Sequence, residues 1–150
     1  MCSSDLTPDD KTARKILADA LAAGETWLNE DGVRAVLSCY GIPAPRSAIV
    51  ATPEDAAEKA REFGGAVAVK IHSPDITHKS DVGGVALNLE TPELVRAAAE
   101  AMNTRVAQAA PKARLSGFLV QEMIRRPNAY ELIAGMAVDK QFGPFLLFGQ

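Results

Sequence analysis

The sequence predicts an α+β protein, an α/β sandwich in which helices alternate with the strands of a mixed sheet. Two observations carry this prediction. Threonine, proline and an acidic residue stand together at positions 52–54 and again at 91–93, which is the chemistry of a helix N-terminus. Short apolar runs bounded by turn-forming residues lie around these two helices, and that pattern is typical of strands. The predicted order of elements is ααβαββαβββ.

Two helices are predicted to begin the chain. Residues 9–23 start with acids and place apolar side chains on one helical face, and Gly24 ends this helix. Asn29 can cap a second helix, in which apolar residues recur at the i, i+3, i+4 and i+7 spacing. The prolines of GIPAPR then force an extended linker.

The later elements follow from turn residues, helix caps and apolar runs. Gly64-Gly65 and Pro111 end the two helices that the threonine caps begin. The predicted elements are a strand at 47–51, a helix from Thr52 to about Phe63, strands at 66–71 and 85–90, a helix from Thr91 to Pro111, and strands at 117–124, 130–138 and 144–148.

The composition excludes several classes of protein. A net charge of −3 argues against nucleic acid as the main partner, because a phosphate backbone normally requires a basic face. No apolar run approaches the roughly 20 residues of a membrane span, so no membrane partner is expected. Two cysteines without a metal-like spacing favour a cytoplasmic location. Phosphate-loop, Rossmann, serine-hydrolase and zinc-protease motifs are absent from the sequence.

Both ends of the chain carry signs of a fragment. Residues 2–6, CSSDL, match one reading frame of a common sequencing adapter. The last residues, FGPFLLFGQ, stop inside a predicted strand. We therefore expect this chain to be a piece of a longer protein.

The stretch KIHSPDITHKSDVGG, residues 70–84, holds more donors and acceptors than a turn between two strands requires. Lys70 shares a strand face with alanines, and a buried lysine requires an anionic partner. The alternative is a strand-end lysine whose ammonium reaches water. The hydroxyls, the imidazole and the glycine pair behind it suit a polyphosphate, which accepts many hydrogen bonds, although a plain surface loop is also rich in such residues.

A second polar group follows the predicted strand at 117–124. Gln121, Glu122 and Met123 place an amide, a carboxylate and backbone groups beside apolar side chains, a combination that suits a purine. Glu131, at the head of the next predicted strand, is suited to the two hydroxyls of a ribose. The alternatives are a solvated strand end for the first group and an exposed alternating position for Glu131.

Together, these segments resemble the nucleotide-binding ATP-grasp domain of the ADP-forming acyl-CoA synthetases. This family includes ADP-forming acetate–CoA ligases, related acetyltransferase fusions and, more remotely, β subunits of succinate–CoA ligase. The likeness covers about residues 12–150, and KIHSPDITHKSDVGGV is its most specific part. It implies a linker helix within residues 1–24, a complete first ATP-grasp lobe with the interlobe hinge at 25–124, and a truncated second lobe at 125–150.

The resemblance also implies roles for individual residues. Lys70 would contact the α- and β-phosphates of ATP or ADP, and a loop would fold over the triphosphate. Gln121, Glu122 and Met123 would face adenine, and Glu131 would hold the ribose. The loop residues that the resemblance assigns to nucleotide binding are Ser80, Asp81, Gly83 and Gly84.

The family's reaction converts acyl-CoA, ADP and phosphate into a carboxylate, CoA and ATP through phosphohistidine. The partner implied is a CoA-ligase domain or subunit that carries the primary phosphohistidine. His78 matches a second, relaying histidine; a neutral imidazole is a nucleophile, and glycines would let its loop swing. The alternative is that His78 only donates a hydrogen bond to a phosphate. The Mg²⁺ ligands are expected beyond Gln150, so the isolated chain should lack synthetase activity.

Two other functions remain open from the sequence. The same domain inside an acetyltransferase fusion would be a regulatory or structural module. A generic α+β interaction module would bind no nucleotide at all.

Overall fold

A computed structural model describes residues 7–150, so the adapter-like residues 2–6 lie outside the described part of the chain. The order of helices and strands confirms the predicted α+β class. The helices are α1 (Asp10–Ala22), α2 (Glu30–Cys39), α3 (Pro53–Phe63) and α4 (Pro92–Ala109). The strands are β1 (Ser47–Val50), β2 (Val67–His72), β3 (Val85–Leu89), β4 (Gly117–Glu122), β5 (Ile133–Asp139) and β6 (Gly143–Gly149).

Side-chain caps start the helices where the sequence predicts them. The hydroxyl of Thr52 accepts a hydrogen bond from the Asp55 backbone N–H at 3.1 Å, and proline occupies the first helical turn of α3. Thr91 repeats this arrangement at α4, and the Asn29 side chain caps α2. Between residues 7 and 150, no helix combines the length and apolar character needed to cross a bilayer.

Four strands form one sheet in the order β1-β4-β2-β3, and all three pairings are antiparallel. The predicted mixed sheet is therefore wrong. Strands β1 and β2, joined by α3, do run in the same direction, but β4 lies between them. Strands β3 and β4, joined by α4, are likewise separated by β2. Each helical crossover thus skips one strand, and every neighbouring pair is antiparallel.

One face of this sheet packs against α3 and α4 and contains the hydrophobic core. The alternation of strand side chains sends Val67, Val69 and Ile71 of β2 to this covered face, beside Phe118 and Val120 of β4. The helices contribute small and apolar residues to the same cluster. These are Ala56, Ala60, Val95, Ala99, Met102 and Val106. The opposite, open face of the sheet carries the remaining side chains of β2 and β4.

Strands β5 and β6 form a separate two-stranded antiparallel sheet. The first of these strands begins at Ile133, not at residue 130 as predicted, because the preceding residues form a turn in which Asn128 has a φ of 62°. Likewise, β4 ends at Glu122 and not at residue 124. Apolar side chains occupy both faces of this hairpin, and Met136 and Leu146 are 71% and 85% exposed.

Candidate functional site

Lys70 and Gln121 meet on the open face of the four-stranded sheet. The register places Gln121 opposite Ala68, one pleat away from Lys70 on the same face. The Lys70 ammonium donates a hydrogen bond to Gln121 Oε1 at 2.9 Å, and both side chains are half-buried. The structure thus joins two residues that the sequence assigned to different parts of a nucleotide.

The positive charge of Lys70 has a neutral partner. Within residues 7–150, no carboxylate lies within 4.0 Å of its ammonium group, and the one side-chain acceptor bonded to it is an amide. Lys70 also lies inside β2, two residues before its end, so it is not the strand-end lysine of the alternative interpretation. A half-buried ammonium without a counter-charge favours an anionic ligand, because such a ligand compensates the loss of hydration.

The surroundings of this pair form a partly sheltered surface. Ile49 of β1 pairs with Leu119 of β4 on the same open face, and Ile49 remains 45% exposed. Beside Gln121, a cavity of about 150 Å³ is lined by α2, the proline linker and Ser47. The open face therefore combines the Lys70 ammonium, the Gln121 amide, the His72 imidazole and apolar side chains, which is a composition suited to a charged ligand with an apolar ring.

The loop between β2 and β3 carries His78, Ser80 and Asp81, and all three are exposed. His78 precedes a short 3₁₀ helix, Lys79–Val82, and its side chain caps nothing. No hydrogen bond or ion pair of the His78 imidazole is present among the described residues. The imidazole is thus accessible from solvent at the tip of the loop.

Gly83 and Gly84 close this loop, but their N–H groups are occupied. The Gly83 N–H donates to the Ser80 carbonyl at 3.0 Å, and the Gly84 N–H donates to the Lys79 carbonyl at 2.8 Å. Gly83 has a φ of 66°, which favours glycine. A Cβ on Gly84 would lie 2.5 Å from Ile71 Cδ1. The glycine pair therefore serves a tight turn and close packing, not the display of free N–H donors that the sequence suggested.

Glu122 points away from the open face. Its carboxylate accepts hydrogen bonds from Arg46 Nε and Nη2, both at 3.2 Å, and this interaction lowers the pKa of the Glu122 carboxyl. The Arg46 guanidinium also lies 4.9 Å from the centre of the Phe63 ring. Because successive residues of a strand alternate faces, Gln121 and Glu122 serve opposite sides of the sheet.

The segment after β4 is held by its backbone and by an arginine. The Met123 N–H donates to the Ala66 carbonyl at 2.9 Å, so it is not one of the free backbone groups inferred from the sequence. Arg125 donates to Asn88 Oδ1 at 3.0 Å and to Glu90 Oε1 at 3.3 Å. This segment therefore lies along the end of the four-stranded sheet.

Glu131 lies outside regular structure, two residues before β5, and is exposed. No hydrogen bond or ion pair within the described residues joins it to Lys70, Gln121 or the β2–β3 loop. The structure therefore brings Lys70 and Gln121 together, gathers His78 with Ser80, Asp81, Gly83 and Gly84 in one loop, and shows no direct bond from Glu131 to either group.

Besides Arg125, two further arginines that join distant segments could not be identified from the sequence. Arg46 binds Glu122 across 76 positions of the sequence, and Arg114 binds Asp75 across 39. Neither pair has a sequence spacing that predicts contact. No local feature of the sequence indicates either contact, although Asp75 follows β2 and Glu122 ends β4.

Metal ligation has no basis in the described residues. Across residues 7–150, no group of three or more histidine, cysteine, aspartate or glutamate side chains could hold a metal ion. These residues thus form no metal site made of protein ligands alone, and the Mg²⁺ ligands that the resemblance implies are expected beyond Gln150.

Comparison with known proteins identifies the domain. A family model described as an ATP-grasp domain matches residues 19–150. ADP-forming acetate–CoA ligase I of Archaeoglobus fulgidus is 38% identical over 145 residues, which cover 97% of this chain and 21% of that protein. The β subunit of ADP-forming acetate–CoA ligase II of Pyrococcus furiosus is 36% identical over 137 residues, which cover 91% of this chain and 57% of the subunit.

A solved structure shows the same fold. The dinucleotide-forming acetyl-coenzyme A synthetase 1 of Candidatus Korarchaeum cryptofilum, in complex with coenzyme A and Ca-AMPCP, matches with a TM-score of 0.77 and 40% identity. The match covers 91% of this chain and 59% of that chain. The chain thus spans about a fifth of a single-chain relative and somewhat over half of the others. By its match to the domain model over residues 19–150, this chain belongs to the ATP-grasp family.

Proposed function

We propose that the chain is the nucleotide-binding portion of an ADP-forming acyl-CoA synthetase. The observation that carries the proposal is the Lys70 ammonium, half-buried on the open face and bonded at 2.9 Å to a neutral amide. In this proposal, a phosphate group of ATP or ADP supplies the missing negative charge. The relatives reported above are ligases and not acetyltransferases, which favours this function over a regulatory or structural module of an acetyltransferase fusion.

The proposed overall reaction is acyl-CoA + ADP + phosphate ⇌ carboxylate + CoA + ATP. The partner is a CoA-ligase domain or subunit that holds the primary phosphohistidine, and His78 takes the phosphoryl group from it and passes it to ADP. An exposed imidazole without a competing hydrogen bond is free to act as this nucleophile. The simpler role, a hydrogen bond from His78 to a phosphate oxygen, uses the same accessibility.

The other residues that the resemblance assigns to the nucleotide are given the following proposed roles. Gln121 orients Lys70, and Met123 lies beside the adenine at the hinge. The Glu122 side chain is occupied by Arg46 and acts structurally. Ser80 and Asp81 close over the phosphates, and Glu131 holds the ribose from the second lobe.

The proposal also includes the organisation of the domain. Residues 25–124 are the first lobe and hinge, and residues 125–150 begin the second lobe, in agreement with the separate β5–β6 sheet. A cytoplasmic location is also proposed, because the sequence has only two cysteines and lacks the many cysteines of a disulfide-rich secreted domain. We expect no acyl-CoA-dependent ATP formation by the chain without its partner.

Nucleotide binding to the chain tests the proposal. Titration with ADP or ATP, followed by backbone amide NMR, should shift the signals of Lys70, residues 78–84 and Gln121. Lys70→Ala should weaken this binding at least about tenfold, which corresponds to about 1.4 kcal/mol. Lys11→Ala, which removes the same charge from α1, is the matched control and should bind as the unmodified chain does. Equal binding by the two variants would contradict the proposal.

A further inference from the structure

We infer that the ion pair between Asp75 and Arg114 is a positioning device, which holds the β2–β3 loop in the orientation that presents His78 to a nucleotide phosphate. This inference rests on the proposed function of the open face. It assigns a role to two residues that contact no ligand in that proposal. Both would act through the loop, and neither would be a catalytic residue.

The geometry of the pair is that of a specific clamp. Asp75 Oδ2 accepts from the Arg114 backbone N–H at 2.8 Å and from Arg114 Nε at 3.0 Å, and Asp75 Oδ1 accepts from Nη2 at 2.9 Å. A fork of two guanidinium N–H groups on one carboxylate fixes direction as well as distance. These charged hydrogen bonds lower the pKa of the Asp75 carboxyl to about 2, so the carboxylate is ionised throughout the physiological range.

The clamp joins segments that are distant in sequence. Asp75 lies in the loop after β2, and Arg114 lies in the connection between α4 and β4, 39 positions later. A second bond strengthens this junction, since the Ser116 N–H donates to the His72 carbonyl at 2.8 Å. Most other ion pairs of the described chain link residues three or four positions apart on one helix. Those helical pairs brace no loop.

The far end of the loop is also fixed. Val82 packs against the core, and Arg105 Nε on α4 donates to the Gly83 carbonyl at 3.2 Å. Ile76 packs against the core directly after the clamp. The stretch from Thr77 to Asp81, which contains His78, is therefore suspended between two anchored points. Any swing of the loop that the flanking glycines permit is therefore confined to this stretch between the two anchors.

Hydrogen–deuterium exchange of the loop amides measures how often the loop opens, and so tests whether the ion pair holds it in place. In the unmodified chain, the amide of Asp81 donates to the His78 carbonyl at 3.2 Å, within the stretch between the two anchors, and should be protected from exchange with deuterium. Asp75→Asn keeps the shape of the side chain but removes the charge, and it should raise the Asp81 exchange rate at least about tenfold, with no change at Val120 in the core. The matched control is Asp19→Asn, which removes the carboxylate that Lys15 contacts at 2.7 Å on α1. That control should leave the loop amides unchanged.

The NMR signals of the His78 ring distinguish a role of the ion pair in positioning His78 from a purely structural role. At saturating ADP, the ring signals of His78 in the unmodified chain should shift, and in Asp75→Asn they should remain near their free positions although Lys70 still responds to ADP. Arg114→Lys, which keeps the charge but not the fork, should give an intermediate shift.

Unchanged exchange rates in Asp75→Asn would overturn the inference. So would faster exchange with a normal His78 shift. If ADP moves no signal in the unmodified chain, the proposed function and the positioning role both fail, while the exchange rates alone still decide whether the ion pair holds the loop.

Discussion

The two faces of the four-stranded sheet differ in what covers them. The covered face lies under α3 and α4, and its side chains on β2 and β4 are apolar and almost completely buried. The open face has Ala68 and Leu119 near the strand centres, each 3% exposed, and then changes to Lys70 and Gln121. The same two strands therefore supply an ordinary core on one side and a polar pair on the other.

This contrast separates stability from recognition. Burial of apolar surface stabilises the fold mainly from the covered face, since most of the large buried side chains lie there, whereas the open face contributes Leu119. A lysine beside an amide contributes little to folding, because its charge loses hydration and gains only a neutral partner. In the proposed function, Lys70 and Gln121 serve ligand binding and not folding, and the following predictions test that division.

The largest effect is expected on the covered face. Phe118 is 1% exposed, and Phe118→Ala should lower the free energy of unfolding by about 3–5 kcal/mol through lost burial and a new cavity. Ile49→Ala on the open face is the control, and since Ile49 is 45% exposed, the loss there should stay below about 1 kcal/mol. Urea denaturation of both variants measures the difference, and equal losses would contradict the division between the faces.

A smaller effect is expected where the loop meets the core. An added methyl group on Gly84 would lie 2.5 Å from Ile71 Cδ1 and 2.9 Å from the Lys79 carbonyl oxygen, so Gly84→Ala should cost about 1–3 kcal/mol of unfolding free energy. Gly65→Ala is the matched control, because nothing lies within 4 Å of its added Cβ. Thermal or urea unfolding compares them. A stable Gly84→Ala protein would show that the loop is not packed tightly on β2.

Gln121→Glu tests the open face by adding a negative charge while keeping the shape of the side chain. The new carboxylate would stand about 3 Å from the Lys70 ammonium and compete with any phosphate, so we expect ADP affinity to fall about tenfold while stability changes little. Gln121→Met, which removes the amide without adding charge, should lose less affinity. Calorimetric titration with ADP checks both variants. An unaltered affinity in Gln121→Glu would argue that Lys70 does not meet the phosphates.

The smallest effect is the pH dependence of the Asp75 clamp. Its carboxyl has a pKa of about 2 in the folded chain and 3.8 as the ordinary value, so its stabilising effect is present above about pH 4. That effect is lost as the pH falls from about 4 to 2. The difference in stability between the unmodified chain and Asp75→Asn should therefore stay constant from pH 5 to 8, shrink as the pH falls toward 2 and disappear only below about pH 2. A difference that changes near neutral pH would require another titrating group.

Local chemistry was readable from the sequence, and pairing between distant segments was not. Thr52 and Thr91 were predicted as helix caps because a cap depends on only four consecutive residues. The insertion of β4 between β1 and β2 was missed, since no local signal states which strand will be the neighbour. For the same reason the sequence could place Lys70 on a strand but could not find its partner. The acceptor, Gln121, lies 51 positions away.

The central claim is that the Lys70 ammonium meets the phosphate groups of a nucleotide, and its own NMR signal reports this most directly. Titration of the chain with ADP should move the ε-methylene resonance of Lys70, titration with inorganic pyrophosphate should move it in the same direction, and adenosine should leave it in place. If ADP shifts other resonances of the chain while that of Lys70 does not respond, the open face binds its ligand in some other way and the account is wrong.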